Sequence, residues 1–142
     1  MATYELLLQL GTILHSAKRF NSVTKLRILT ITSESSKNRD RIRLKSIIDA
    51  IRVEGEIKCV ISPFASAVRK GAFDRQIFVE LNSLMKREKN SCMVFTFLPN
   101  PPTEPAAAEG YIGDIKALTD GMPPVILMRG KEIVTTHLEH AI

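Results

Sequence analysis

Leu6, Leu7, Leu10, Ile13 and Leu14 recur three and four residues apart, which places them on one helical face and predicts a helix over 4–18. The period then changes. Residues 26–32 alternate and are rich in β-branched side chains, so they predict a first strand. Ser33, Ser35 and Ser36 supply N-cap chemistry for a helix over 39–52, with Leu44, Ile47, Ile48 and Ile51 inward and the arginines and Lys45 outward. Gly55 follows, where a left-handed residue would end that helix. A second strand is predicted over 56–61. Residues 62–73, of mixed composition and carrying Arg69 and Lys70, are predicted as an exposed loop. Ile77, Phe78, Leu81, Leu84 and Met85 then set a helix over 74–88. Residues 92–98 form a near-continuous apolar run, the pattern of a strand covered on both faces. Pro99, Pro101, Pro102 and Pro105 hold the next segment extended. A helix over 106–119 is weakened by Gly110 and Gly113 and stopped by Gly121, Pro123 and Pro124. A strand over 125–128 turns through Gly130 and Lys131 into a last strand over 133–137.

Strands alternating with helices predict an α/β fold: a mostly parallel sheet of about five strands, helices on both faces, and the last strand antiparallel. The expected order is 2-1-3-4 with that last strand on an edge. Ligands of such sheets favour the crevice beyond the carboxyl ends of the strands, where the order reverses. Thr32 and Ser33 after the first strand, with Pro99 and Asn100 after the third, would line it. The 142 residues fit one domain, 1–142, and show no internal repeat.

Composition narrows the function classes. The longest apolar runs fall far short of the roughly 20 residues that a bilayer span needs. No basic stretch precedes an apolar one at the start, so no signal peptide is expected. The net charge of +5 admits an anionic partner, yet aromatic residues make up 6% and Trp is lacking, which argues against a stacking platform for nucleic acid. Cys59 and Cys92 fall inside predicted strands and are expected as buried thiols, consistent with a reducing cytosol; no Cys-x-x-Cys spacing occurs.

The chemical motifs lead away from catalysis. A phosphate-cradling turn needs glycines between strand and helix, whereas the first such turn reads Ser33, Glu34, Ser35, Ser36. Universal-stress-protein domains share this topology, and their ATP-binding members carry Gly-x2-Gly-x9-Gly-Ser/Thr. Here Gly110 and Gly113 match the first pair, but Pro123 stands where the third glycine belongs. His137 and His140 lack a third metal ligand, and no Gly-x-Ser-x-Gly elbow occurs. No catalytic group, metal or cofactor is therefore expected.

Four stretches carry a resemblance that spans nearly the whole chain, in order. They are LLLQLGTILHSAKRF with KLRILTI, DRIRLKSIIDAIRVEGEIKCV, LNSLMKREKNSCMVFTFLPNPP and YIGDIKALTDGMPPVILMRGKEIVTT. Together they resemble the second half of the cytosolic C-terminal domain of cation–chloride cotransporters, a universal-stress-protein-like unit. The tail from Pro99 through Gly130 is the most specific part. The family's long polar insertion shrinks here to 62–73, and an aromatic usual after its first helix is replaced around Phe20. The short loop and the Pro123 and Pro124 pair look most like divergent or fungal vacuolar members. The resemblance implies a non-catalytic regulatory and dimerisation domain of an electroneutral symporter of chloride with sodium or potassium. Its partners would be a second copy and the transmembrane domain of the same transporter, with contact to the inner leaflet and none to nucleic acid. A nucleotide-sensing domain is the alternative.

Overall fold

In the computed structural model, which describes residues 2–88 and 90–130, the strands form two separate parallel pairs. Helix α1 spans Ala2–Ser16 and is followed by a single turn, α2, over Lys18–Asn21. Strand β1 (Arg27–Thr32), helix α3 (Lys37–Ala50) and strand β2 (Glu56–Ile61) make the first crossover unit. Helices α4 (Ala65–Lys70) and α5 (Arg75–Lys86) lead to β3 (Val94–Phe97). A 3₁₀ turn over Pro105–Ala107 opens α6 (Ala108–Thr119), and β4 spans Val125–Met128. Each helical crossover returns the chain in the same direction, as parallel pairing requires. The registers run from Arg27 opposite Glu56 to Thr32 opposite Ile61, and from Val94 opposite Val125 to Phe97 opposite Met128.

The single sheet of about five strands is therefore not formed, and the order 2-1-3-4 is broken at its middle step. Among the described residues β1 pairs only with β2, and β3 only with β4. A cleft of about 740 Å³ runs between β1 and β3, and α1 contributes Leu7, Leu8 and Leu14 to its wall. Helix α1 also packs on β3 and β4. Side-chain packing from this helix thus takes the place of a backbone ladder between the halves. The strand expected over 133–137 lies outside the described residues.

Two apolar clusters result. Leu8, Ile28, Leu44, Ile48 and Val53 bury themselves between α1, β1 and α3. Ile77, Phe78, Leu81 and Leu118 form the second, with Phe64, Val68, Phe73, Phe97 and Leu127 packed around it. Each fully buried side chain of this size contributes about 1.5–3 kcal/mol. Ile31 of β1 reaches the second cluster, so the halves share apolar contact without sharing a sheet.

The helix ends depart from expectation in an instructive way. α3 stops at Ala50, and its left-handed residue is Arg52 (φ 57°), not Gly55. Arg52 N–H donates to the Asp49 carbonyl at 3.2 Å and Val53 N–H to the Ile48 carbonyl at 2.9 Å, the paired bonds of a Schellman ending. Val53 closes it by packing on Ile48. Gly55 serves a different end: a Cβ there would lie 3.2 Å from Ile28 Cδ1 and 3.3 Å from the Leu26 carbonyl, so its bareness lets the chain pass close to β1. The 62–73 segment is not wholly an exposed loop. Ser62 and Ala65 are buried, and α4 ends on Gly71 (φ 71°) with the same Schellman bonding, Ala72 N–H to the Ala67 carbonyl at 3.0 Å. The thiols also differ from expectation, Cys59 being half-buried and Cys92 exposed.

Candidate functional site

The carboxyl end of β1 is closed by its own side chains. Thr32 is fully buried, and its hydroxyl donates to Asp40 Oδ2 at 2.5 Å. Ser36 Oγ lies 3.1 Å from the Thr32 hydroxyl and 2.7 Å from Ser33 Oγ. One orientation of the hydroxyl hydrogens satisfies the run: Ser33 to Ser36, Ser36 to Thr32, Thr32 to Asp40. Each hydroxyl then donates once, as its single hydrogen requires. Arg69 Nη2 of α4 donates to the same Asp40 oxygen at 2.7 Å. Ser62 at the end of β2 joins through its N–H, which donates to the Thr32 carbonyl at 3.0 Å, and its hydroxyl accepts from Phe64 N–H at 3.1 Å.

The Thr32 hydroxyl bond holds the Asp40 carboxyl below its ordinary value of 3.8; burial pushes the other way, and Ser36 and the Arg69 guanidinium add to the lowering. Asp40 is thus an ionised carboxylate engaged by two donors, poorly suited to accept a proton as a general base. Its evident role is to tie the first turn of α3 to β1 and α4. Ser36 stands at the N-cap of α3, but its side chain makes no cap bond to the helix backbone, and its hydroxyl serves the network instead.

At the other strand end, Pro99 is buried and Asn100 exposed. Tyr111 donates its phenolic hydrogen to the Pro99 carbonyl at 2.8 Å, binding the proline-rich segment to α6. Among the described residues, no hydrogen bond links Thr32 or Ser33 to Pro99 or Asn100, and none of the four lines the cleft between β1 and β3. Each end is engaged locally, Thr32 and Ser33 with Ser36 and Asp40, and Pro99 with Tyr111. The cleft lies lower, along the strand edges. It touches every residue over 23–31 and 90–97. Because alternate residues of a strand face opposite ways, contact with consecutive residues means that it follows unpaired edges.

Gly110 and Gly113 lie inside α6, not in a phosphate loop. At Gly113 an added Cβ would come 2.5 Å from Arg75 Nη2, so the bare helix surface seats the Arg75 guanidinium. Arg75 there donates to Asp114 Oδ1 at 2.6 Å and to the Gly110 carbonyl at 3.1 Å. Buried Asn82 similarly gives its amide hydrogens to the carbonyls of Leu118 and Asp120, at 2.9 and 2.8 Å, satisfying the end of α6. Local sequence patterns do not reveal the partnerships of Asp40 with Arg69, Arg75 with Asp114 or Asn82 with the end of α6, since each joins residues 29 to 39 positions apart.

Among the described residues no group of three or more His, Cys, Asp or Glu side chains could hold a metal ion. His137 and His140 lie outside the described residues. No helix among the described residues is long and apolar enough to cross a membrane. The fold and this site define an α/β arrangement of two parallel strand pairs, the first of which ends in an internal polar network. No protein-family model matches the sequence, and no curated protein matches it.

Proposed function

We propose that this chain is a non-catalytic cytosolic regulatory and dimerisation domain of an electroneutral cation–chloride cotransporter. The observation that carries the reading is the order of the four resembling stretches over nearly the whole chain, each joining a helix to the strand after it. The first covers most of α1 and β1, the second most of α3 and β2, the third the second half of α5 with β3, and the fourth most of α6 with β4. The closed end of β1 supports a surface role, because Thr32, Ser36 and Asp40 are committed to one another. In this reading the chain lies at the cytosolic face of the plasma or vacuolar membrane. It acts on transport through contacts that differ between two states of the transporter.

The coding sequence upstream tests the parentage: about a dozen apolar spans are expected before this domain, and none would remove the transporter. Sedimentation equilibrium over a concentration series tests self-association. A reversible dimer is expected, and a strict monomer at the highest concentration removes dimerisation from this chain. Titration with ATP, ADP and AMP during thermal unfolding is expected to leave the midpoint unmoved. A saturable rise would instead support nucleotide sensing.

A further inference from the structure

We propose that Ser22 is a phosphorylation site for an arginine-directed serine/threonine protein kinase. Such a kinase sets carboxylates against an arginine three positions before its acceptor, and an apolar pocket against the residue after it. It takes the acceptor on a short segment drawn out of the folded body, so local opening must be cheap. An arginine stands three before a serine or threonine at three places in the chain: Arg19 before Ser22, Arg27 before Thr30 and Arg43 before Ser46. In each case an apolar residue follows the hydroxyl, namely Val23, Ile31 and Ile47. Sequence alone does not choose among them. The fold does.

Thr30 lies inside the six-residue ladder of β1, opposite Cys59. Its arginine, Arg27, donates to Glu88 at 3.0 Å, and Ile31 packs on the second apolar cluster. Ser46 lies within α3 between buried Leu44 and Ile48, and Ile47 packs on the first cluster. Presenting either hydroxyl to a kinase would pull an isoleucine out of a core. Ser22 is placed differently. It is exposed, in the turn between the single helical turn α2 and β1. Arg19 is exposed and, among the described residues, makes no ion pair. Val23 is 78% exposed. Lys18, Arg19 and residues 22–25 belong to neither apolar cluster. Polar contacts hold the turn: Ser22 Oγ donates to the Lys18 carbonyl at 3.3 Å, and His15 Nε2 lies 3.0 Å from the Thr24 carbonyl. One turn of helix is marginal in water by itself, so this segment opens without disturbing either core. Residues 18–25 carry Lys18, Arg19 and Lys25 and no acid that would repel the kinase's carboxylates.

In the transfer, the Ser22 hydroxyl oxygen bonds to the γ-phosphorus of ATP and the bond from that phosphorus to the ADP oxygen breaks. The hydroxyl proton passes to the kinase's catalytic aspartate. The product adds about two negative charges and has no hydroxyl hydrogen to give, so the bond to the Lys18 carbonyl is lost. The inference stands apart from the transporter reading, which bears only on the compartment that would supply the kinase.

The full chain is incubated with magnesium, ATP and the catalytic subunit of cyclic-AMP-dependent protein kinase, and the product is mapped by mass spectrometry. A single phosphoryl group on Ser22 is expected. Ser22→Ala is expected to abolish incorporation, and Ser46→Ala to leave it unchanged. Arg19→Ala is expected to lower kcat/KM by about tenfold or more, with an unchanged circular dichroism spectrum. Should that variant unfold, Arg19→Lys keeps the charge but loses the paired donors, and is expected to lower kcat/KM by about threefold or more. No incorporation, phosphate on Thr30 or Ser46 in place of Ser22, incorporation that survives Ser22→Ala, or an unslowed folded Arg19 variant would overturn the proposal. A failed kinase reaction leaves the parentage test untouched, and missing upstream spans leave the kinase reaction untouched.

Discussion

At the carboxyl end of the first strand pair, closure is polar: Thr32, Ser36, Asp40 and Arg69 bond to one another, and α3 is fastened through them. Around the second pair closure is aromatic. Phe73 stacks on Phe97 with centroids 4.9 Å apart and on Phe78 at 5.5 Å, and Phe78 meets Phe97 at 6.4 Å. The difference follows ladder length and cover. The first pair runs six residues with buried or half-buried Ile28, Leu29 and Ile31 on β1, so its apolar cover is distributed along the strand. The second pair is only four residues long and is half-buried throughout, so a compact ring cluster supplies what length does not. Hydroxyl networks fix direction, whereas ring stacks tolerate sliding. The first half is therefore held by geometry and the second by area.

Breaking the second half at its centre gives the largest expected effect. Phe78 is 3% exposed, and Phe78→Ala removes one ring from all its contacts, at an expected cost of about 3–5 kcal/mol in urea unfolding. Next comes the join between halves. Glu88 is nearly buried, 3.0 Å from Arg27 Nη1 of β1 and 2.5 Å from Lys58 Nζ of β2. Both cations are partly solvated, so Glu88→Gln is expected to cost about 1–2 kcal/mol. If the halves are joined there, probes in β1 and in β3 are also expected to unfold less coincidently.

The polar closure carries its own pH signature. Its folded carboxyl lies below the ordinary 3.8, so the stability it contributes is complete above that value and is lost as pH falls through the folded value. Asp40→Asn is expected to cost about 1–2 kcal/mol at neutral pH, with the gap to the parent closing only in acid. Denaturant titrations at neutral and strongly acid pH measure it. The smallest change is a gain. Arg52 occupies the left-handed position that Gly71 fills in α4, and Arg52→Gly is expected to stabilise by about 0.5–1 kcal/mol, read as a raised melting temperature.

What could be read from sequence was whatever is encoded locally. Ile77, Phe78, Leu81 and Leu84 announce α5 by spacing alone, and all four are buried in it. Short α4 escaped because six residues hold less than two turns, though Phe64, Ala67 and Val68 do stand at helical intervals and pack on the second cluster. The ending of α3 differs from expectation because glycine is the usual left-handed residue and Gly55 lies nearby, whereas Arg52 takes the position. The split between β1 and β3 is a matter of which strands meet, a long-range choice that periodicity does not encode. Thr32 and Ser33 could be placed at a strand end, but Asp40 and Arg69 lie 8 and 37 positions from Thr32, and only folding assembles the four.

A parallel strand sends successive N–H groups to opposite edges. Among the described residues β1 is bonded only to β2 and β3 only to β4, so every second amide along each faces the cleft without a ladder partner there. Deuterium uptake along 27–32 and 94–97 is therefore expected to stutter, one position slow and the next fast. The rhythm would trace, residue by residue, the seam at which a continuous sheet gives way to two.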